Sequence, residues 1–359
     1  MLTFHELRLR ERVRIAEEAF ALTLAIPHAA RASFACLPGQ HVVVRATVNG
    51  RALRRNYSVV GPVRGELVIG VRSQGEMSRY LAEELPLGAA LEVLSPGGGF
   101  HAKTDAQHAK RYVAIAAGSG ITPVLSIAQA LLEEEPRSEL VLLYGNRSLA
   151  RTMFVEEVLA LKNRYPARCV VHFVMSREPQ EVELYNGRLD GPRLAAFPGR
   201  LAEPGEVDEY FLCGPQAMVD ELAASLRGRG VTAPIHVERF GAARSAAPAP
   251  ELIAVVPEVP PASEALATTE VSVLMDGRRR SFTMRRDGER VLEAAERAGL
   301  ELPFACRAGV CSTCRARLLA GEVAMDYNQA LEPAEVAAGY VLCCQSRPLS
   351  ARLELSYDM

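Results

Sequence analysis

The chain lacks a strong excess of charge of either sign, since 41 Lys and Arg residues stand against 43 Asp and Glu, a formal net charge of −2. This balance argues against nucleic acid or an anionic membrane as a partner, because both attract a strongly basic surface. No apolar run approaches the ~20 residues of a membrane-spanning helix. Residues 1–8 lack the apolar core of a signal peptide, so we expect a cytoplasmic protein.

The seven histidines show no metal-ligand spacing, and we assign none to a metal. The cysteines are more informative, because Cys306, Cys311 and Cys314 have C-x4-C-x2-C spacing and Cys343 and Cys344 follow. Three such cysteines and one from a later segment are the ligands of a plant-type [2Fe–2S] cluster. A structural zinc site would show paired C-x2–4-C knuckles, and a disulfide framework would suit a secreted domain. The spacing therefore favours a one-electron iron–sulfur centre with two candidates for its fourth ligand.

A loop that supplies three thiolates must curl tightly around the metal. Ala308, Gly309 and Ser312 are the small residues that such a curl requires, and Gly309 can adopt a positive φ without strain. The curl also directs backbone N–H groups at the sulfurs, which raises the reduction potential of the centre.

Residues 1–104 are predicted to form an antiparallel β-barrel, because short β-branched runs alternate with turns, interrupted by one helical piece from Met77 to Leu85. Within it, Arg55 and Tyr57 lie on one face of a strand. A cation beside an aromatic ring suits a cofactor with a pyrophosphate and a flat ring. Ser78, near the start of the helical piece, is a further candidate for the pyrophosphate. A solvated barrel face is the alternative explanation of the Arg and Tyr.

Residues 105–240 alternate apolar strands with helical patterns, which predicts a doubly wound α/β domain that binds ligands at the carboxyl ends of its strands. Two glycine-containing turns lie at such ends, Gly118-Ser119-Gly120 and Cys213-Gly214-Pro215. The first is not the G-x-G-x-x-G fingerprint, and a tight turn alone would explain it. With the second turn, a two-sided nucleotide cleft becomes the preferred interpretation.

Residues 241–268 are rich in Ala and Pro, which predicts a semi-rigid linker, although the apolar run from Leu252 to Val256 could pack against a neighbouring element. Residues 269–359 begin with two β-rich runs around Asp276-Gly277, a strong hairpin signal. A helix, the cysteine loop and closing strands follow, so we predict an α+β, β-grasp ferredoxin domain. Residues 270–359 contain 12 Lys and Arg against 13 Asp and Glu, so their net charge predicts no strong steering of a partner and leaves local patches open.

In this order, the three modules resemble the ferredoxin–NADP⁺ reductase superfamily with a C-terminal plant-type ferredoxin. The resemblance implies FAD on the barrel, NAD(P)H on the α/β domain and a [2Fe–2S] cluster held by Cys306, Cys311, Cys314 and Cys344. Cys344 is favoured over Cys343 because 29 residues separate it from Cys314 and because Gly339 to Gln345 resembles the ferredoxin G-Y-x-L-x-C-Q ending. The cofactor-binding residues implied are Arg55, Tyr57, Ser58, Arg72, Met77, Ser78, Gly118, Ser119, Gly120, Thr122, Arg147, Arg151, Cys213, Gly214 and Pro215. The residues implied nearest the reacting rings are Ser58, Thr122, Cys213 and Phe240.

Arg147 and Arg151 follow the second α/β strand, where an acidic residue would otherwise grip a ribose hydroxyl, so they favour the 2′-phosphate of NADPH over NADH. Two solvated arginines are the alternative explanation.

The implied function is an electron relay from NAD(P)H through FAD and the cluster to the oxygenase component of a multicomponent monooxygenase. Within the superfamily, most of the matching stretches resemble the reductases of di-iron phenylacetyl-CoA epoxidases, which serve phenylacetate degradation. Residues 345–358 resemble equally the reductases of 3-ketosteroid 9α-hydroxylases, which are Rieske-type oxygenases. Two readings of other classes are a non-catalytic iron–sulfur redox sensor and a zinc-stabilised binding module.

Overall fold

A computed structural model describes residues 3–63, 65–240, 251–255, 268–328, 330–331 and 333–358. The chain divides into two compact units. One comprises Phe4–Gly241, and the other comprises Ala242–Met359 with the first three residues.

The first unit begins with a closed antiparallel barrel in the strand order β1-β2-β5-β4-β3-β6, as predicted. Its strands are β1 (Phe4–Ala16), β2 (Ala19–Ala25), β3 (His41–Val48), β4 (Arg51–Val63), β5 (Glu66–Arg72) and β6 (Ala90–Leu94). Alternate residues such as Leu7, Leu9, Leu22 and Leu24 are fully buried, which is the period-two pattern of strands with one core face. The predicted helix is confirmed in place, as a short α1 (Glu76–Arg79) followed by a π-helical turn.

The same unit continues with a parallel five-stranded sheet in the order β11-β10-β7-β8-β9. Its elements are β7 (Arg111–Ala117), α2 (Ile121–Glu134), β8 (Glu139–Asn146), α3 (Val155–Arg164), β9 (Cys169–Met175), α4 (Gly191–Ala196), β10 (Glu209–Pro215), α5 (Gln216–Gly228) and β11 (Ile235–Phe240). The chain runs outward from β7 to β9 and then returns to the other side of β7. The strand order therefore reverses between β7 and β10, and this reversal point is where open α/β sheets bind ligands.

The second unit is built on a mixed sheet in the order β12-β15-β18-β13-β14, with two short strands added beside β15. Its elements are β12 (Glu251–Val255), β13 (Thr268–Met275), β14 (Arg278–Arg285), α6 (Val291–Arg297), β15 (Arg315–Met325), α7 (Pro333–Ala337), β16 (Tyr340–Leu342), β17 (Ser346–Pro348) and β18 (Arg352–Ser356). The predicted hairpin is confirmed, since β13 and β14 pair around Asp276 and Gly277, both at positive φ.

The linker prediction missed one strand. Residues 251–255 lie inside the predicted 241–268 tether, yet they form β12, which pairs antiparallel with β15. A short run with free backbone N–H and C=O groups can add to the open edge of a sheet whatever the composition around it. Residues 241–250 and 256–267 of the predicted tether lie outside the described residues, and its last residue, Thr268, begins β13. Within the part of the chain that the structure describes, every helix is too short or too polar to span a bilayer.

Candidate cofactor sites

The cysteine loop precedes β15 and has no regular secondary structure. Its backbone curls through three positive φ angles, 55° at Arg307, 73° at Gly309 and 49° at Ser312. A Cβ on Gly309 would lie 2.6 Å from the Tyr327 carbonyl oxygen. Position 309 therefore requires glycine for its conformation and for its close approach to a neighbouring segment.

The loop brings the four predicted cluster cysteines together. The Cys306 sulfur is in hydrogen-bonding contact with Cys311 and Cys344, and Cys344 is in contact with Cys314 as well. Hydrogen bonds from Cys311 and Cys344 lower the pKa of Cys306, whereas the same kind of contact raises the pKa of Cys344. The N–H of Ala308 donates to the Cys306 sulfur at 3.3 Å, which is the predicted direction for a loop that stabilises thiolates.

Cys343 does not join this group through its side chain. It is fully buried, burial raises its pKa to about 12, and its hydrogen-bonding partner is Tyr357. Cys344 faces the loop instead, and the Gln345 amide lies 3.5 Å from its sulfur. The structure thus supports the choice of Cys344 as fourth ligand.

These four thiols match the number of ligands that a two-iron cluster requires. Among the described residues, no three His, Cys, Asp or Glu side chains are arranged to hold one metal ion. A plant-type cluster has a different requirement, because its four thiolates are divided between two irons.

The predicted flavin residues on β4 lie together. Arg55 and Tyr57 face the same side of the strand and pair with Val44 and Val42 of β3. Arg55 is exposed, donates to the Arg54 carbonyl oxygen at 2.7 Å and has no carboxylate partner among the described residues. Burial raises the pKa of Tyr57, and the charge of Arg55 partly opposes this rise. An exposed cation beside a largely buried ring fits a cofactor with a pyrophosphate and a flat ring.

The side chains of the second stretch predicted to bind the flavin, from Arg72 to Ser78, make contacts within the protein. The Met77 side chain is buried in the barrel core, so it can offer a cofactor only its backbone. The Ser78 hydroxyl accepts from the N–H groups of Gln74 and Gly75 at 3.0 and 2.9 Å, and so it holds its own turn. Arg72 donates to the Arg151 carbonyl oxygen at 2.8 Å, which ties the barrel to the α/β sheet.

The two glycine turns meet at the reversal point between β7 and β10. A Cβ on Gly120 would lie 2.2 Å from the Cys213 carbonyl oxygen, and one on Gly214 would lie 2.8 Å from Met218. Gly120 is therefore explained by the packing of one turn against the other, and Gly214 by its close approach to Met218 and Ala117. Gly118 differs, because its φ is 54° and no atom lies within 4 Å of the position of a Cβ. It is the glycine of the three that leaves room for a ligand.

The side chains around these turns are held firmly. The Thr122 hydroxyl donates to the Ser119 carbonyl oxygen at 2.6 Å. The Tyr144 hydroxyl donates to the Gly118 carbonyl oxygen at 3.0 Å. Burial raises the pKa of Tyr144, so this hydroxyl stays protonated. Phe240 ends β11 and pairs in register with Pro215, so it lies at the same edge of the sheet.

A chain of contacts joins two of the predicted catalytic residues, Cys213 of the sheet and Ser58 of the barrel. The Cys213 thiol lies 3.9 Å from the Glu238 carboxylate, and the other Glu238 oxygen lies 3.7 Å from the His41 ring. His41 pairs across β3 and β4 with Ser58, and both residues are buried. Burial and then the nearby Glu238 raise the pKa of Cys213 well above its ordinary value, so Cys213 stays a thiol. Sequence reasoning did not assign His41 or Glu238 to the site.

The two arginines predicted to bind the 2′-phosphate of NADPH have different environments. Arg151 forms ion pairs with Glu18 and Glu17 of the barrel, so it is engaged in the structure. Arg147 is exposed and has no ion pair among the described residues. Its carbonyl oxygen accepts the N–H of Arg177 at 2.8 Å, which places a second exposed arginine beside it at the ends of β8 and β9. Sequence reasoning missed Arg177, whose position after the third strand was the available signal.

Three domain families match the chain in sequence. An oxidoreductase FAD-binding domain covers residues 6–102, an oxidoreductase NAD-binding domain covers 114–223, and a 2Fe-2S iron-sulfur cluster binding domain covers 273–349. The predicted fold class, cofactor classes and oxidoreductase activity are confirmed by these matches.

Curated relatives match over nearly their whole length. The chain is 38% identical to one subunit of the 1,2-phenylacetyl-CoA epoxidase of Escherichia coli K12, over 100% of this chain and 99% of that protein. It is 31% identical to the ferredoxin reductase component of 3-ketosteroid-9-alpha-monooxygenase from Rhodococcus rhodochrous, over 94% of this chain and 92% of that protein. Among solved structures, phthalate dioxygenase reductase matches with a TM-score of 0.57 and 25% identity over 98% of both chains.

Proposed function

The chain belongs to the family of FAD-, NAD- and [2Fe–2S]-dependent reductases that includes this phenylacetyl-CoA epoxidase subunit, and from that premise we propose that it delivers electrons to an oxygenase acting on phenylacetyl-CoA in phenylacetate degradation. The observation that carries this proposal is the identity to the epoxidase subunit, which is higher than to the ketosteroid reductases and extends over the full length of the chain.

When bound, the flavin can accept two electrons from a nicotinamide and release them singly to an iron–sulfur cluster. The residues of this chain would bind and orient these groups. Arg55 would neutralise a pyrophosphate, Tyr57 would lie beside the flavin ring, and Gly118 would admit the coenzyme to the reversal point between β7 and β10. The Cys213 thiol, kept protonated by burial and Glu238, would present a neutral group there.

The proposal is tested by comparing two oxygenases as electron acceptors for this reductase. The purified reductase would be supplied with NADPH and either the remaining subunits of the Escherichia coli phenylacetyl-CoA epoxidase or the oxygenase component of the Rhodococcus 3-ketosteroid enzyme. We expect kcat/KM to be at least about tenfold higher with the epoxidase, a difference of ~1.4 kcal/mol in transition-state binding. Equal or reversed values would favour the ketosteroid-type partner, and no turnover with any acceptor would favour a redox sensor.

The ending shared with the ketosteroid reductases has a structural explanation here. The Asp358 carboxylate accepts the N–H groups of Asp276 and Gly277 at 2.6 and 2.9 Å and so caps the hairpin. The Tyr357 N–H donates to the Leu274 carbonyl oxygen at 2.9 Å. Residues needed to close the domain carry little information about the partner, so this resemblance does not weigh against the epoxidase.

We also propose NADPH as the preferred donor, bound through Arg147 with Arg177 beside it. Two exposed arginines at the carboxyl ends of adjacent strands suit a 2′-phosphate. The variant Arg147→Ala should raise KM for NADPH on the order of tenfold and leave KM for NADH within about twofold, because only NADPH carries that phosphate. Arg229→Ala, at an exposed arginine that follows α5, is the control. Equal changes for both coenzymes would remove the assignment.

The proposed location is the cytoplasm, where thiols stay reduced. All eight cysteines are among the described residues, and none forms a disulfide.

A further inference from the structure

The second unit has an uneven distribution of charge. Five of its arginines fall within residues 278–286, a stretch that contains no Asp or Glu. Most of this stretch is β14, which forms one end of the strand order and pairs with β13 alone among the described residues. Charges on an edge strand discourage pairing with other chains, and for that purpose any exposed placement would serve. The placement of these arginines is more specific.

The arginines of β14 divide into two groups. Arg279 forms an ion pair with Glu354 at 3.2 Å, and Arg285 forms one with Asp287 at 3.3 Å. Arg278 and Arg280 are exposed and form no ion pair with any described residue. These two alternate with Arg279 along the strand, so they lie on its other face.

Arg278 and Arg280 flank a shallow depression with an apolar floor. The floor consists of Val273, Met275 and Leu300, and the arginines stand directly across the hairpin from Met275 and Val273. Val273 and Leu300 are almost fully buried, so the two arginines provide most of the exposed surface here. The rim is cationic, so a complementary surface would be acidic.

The depression lies at the end of the sheet that carries the cluster cysteines. Tyr357 connects the two places, since its N–H donates to the Leu274 carbonyl oxygen at 2.9 Å and its hydroxyl lies 3.5 Å from the Cys314 carbonyl oxygen. Leu300 precedes Cys306 by six residues, a path of at most about 20 Å even when fully extended. A partner seated on the depression would therefore lie beside the predicted cluster.

The Asp358 carboxylate lies at the same hairpin and is occupied in capping it, since it accepts the N–H groups of Asp276 and Gly277.

We propose that Arg278 and Arg280, with the apolar depression between them, form the docking site for an acidic surface of the oxygenase that accepts electrons from this chain. The inference rests on the proposed function. It predicts that the contact is electrostatically steered and weakened by salt.

The test is a charge reversal at the site with a matched reversal elsewhere. Arg278→Glu/Arg280→Glu would be compared with Arg285→Glu/Arg352→Glu, which changes the net charge equally at the opposite end of the same sheet, on β14 and β18. Both control arginines form exposed ion pairs, with Asp287 and Glu354. At low salt, the first variant should raise KM for the remaining epoxidase subunits on the order of tenfold or more, and the second should change it by less than about twofold. Anaerobic bleaching of the cluster absorbance by NADPH should be unchanged in both.

Each of the other outcomes would contradict the docking site. Equal effects of the two variants would mean that net charge matters and the site does not, and an unchanged KM would remove the site outright. Slower bleaching in the first variant would mean that this surface contacts the flavin unit of the same chain, which overturns the proposal. Failure of the wild-type protein itself to support epoxidation would overturn the proposed function, and the docking site would fall with it.

Discussion

The substitution Gly120→Ala tests the idea that two turns of the α/β sheet must be in direct contact for the coenzyme to react. The new Cβ would lie 2.2 Å from the Cys213 carbonyl oxygen and 2.6 Å from its carbonyl carbon. Carbon–oxygen contacts in proteins are about 3.3 Å or longer. The turns after β7 and in β10 would therefore have to separate by roughly 1 Å, because both contacting atoms belong to the backbone.

The cost of that separation can be estimated in two ways. Overpacking of a closely packed site costs ~1–3 kcal/mol, which corresponds to about 5- to 150-fold in rate if it is expressed in the transition state. Misplacement of a reacting group by about 1 Å can cost on the order of 100-fold. We expect the reduction of the flavin at saturating NADPH to slow by about 10- to 100-fold, with unchanged flavin content and an unchanged cluster spectrum.

The assay is anaerobic stopped-flow reduction by NADPH, with one glycine control. Gly50→Ala places a Cβ in open space in the hairpin between β3 and β4, at a φ of 74°, so it adds backbone strain of ~1–2 kcal/mol without a clash. If Gly120→Ala reduced the flavin at the wild-type rate, or if Gly50→Ala slowed reduction as much, the reasoning from turn packing would be wrong.

Two further substitutions test the cluster and the electrostatics of the sheet. Cys344→Ser should abolish the [2Fe–2S] absorbance and Cys343→Ser should preserve it, because of these two cysteines only Cys344 contacts the Cys306 sulfur. An intact spectrum in the first variant would reject the ligand assignment. Glu209 accepts hydrogen bonds from His236 and Lys110, which outweigh its burial and lower its pKa from 4.5 to about 2. Its stabilisation is therefore complete above about pH 4.5 and lost as the pH falls toward 2. Glu209→Gln should thus lower stability at pH 7 by ~1–3 kcal/mol and flatten the loss of stability between about pH 4.5 and 2, measured by urea unfolding with flavin fluorescence. Parallel pH profiles of the two proteins would contradict this account.

The parts of the site that sequence predicted well are those whose residues are close together in the chain. The spacing of Cys306, Cys311 and Cys314 predicts one tight loop, and the loop has the positive φ at Gly309 that this requires. Alternation along one strand likewise placed Arg55 beside Tyr57. Local geometry follows from local spacing, because the backbone offers few conformations over a few residues.

The parts that sequence missed depend on contacts between distant segments. His41 meets Glu238 only because β3 of the barrel faces the end of β11, and Arg151 is engaged only because the turn after β1 supplies Glu18 and Glu17. Neither contact has a signal in spacing or composition. Strand β12 is similar, since its place in the sheet depends on an open edge of β15 that a Pro-rich neighbourhood does not reveal.

The glycines show most clearly why the chemistry of a motif cannot be divided among its residues by sequence alone. The sequence alone does not distinguish Gly118, Gly120 and Gly214, and all three are candidates for close approach of a coenzyme. The reversal of strand order places β10 beside β7, so the space beyond Gly120 and Gly214 is filled by the other turn and by Met218. Close approach of a ligand is left to Gly118, where the backbone is held from behind by the Tyr144 hydroxyl. The coenzyme should therefore meet the chain on the face of Gly118, and the other two glycines should act through the distance between the turns.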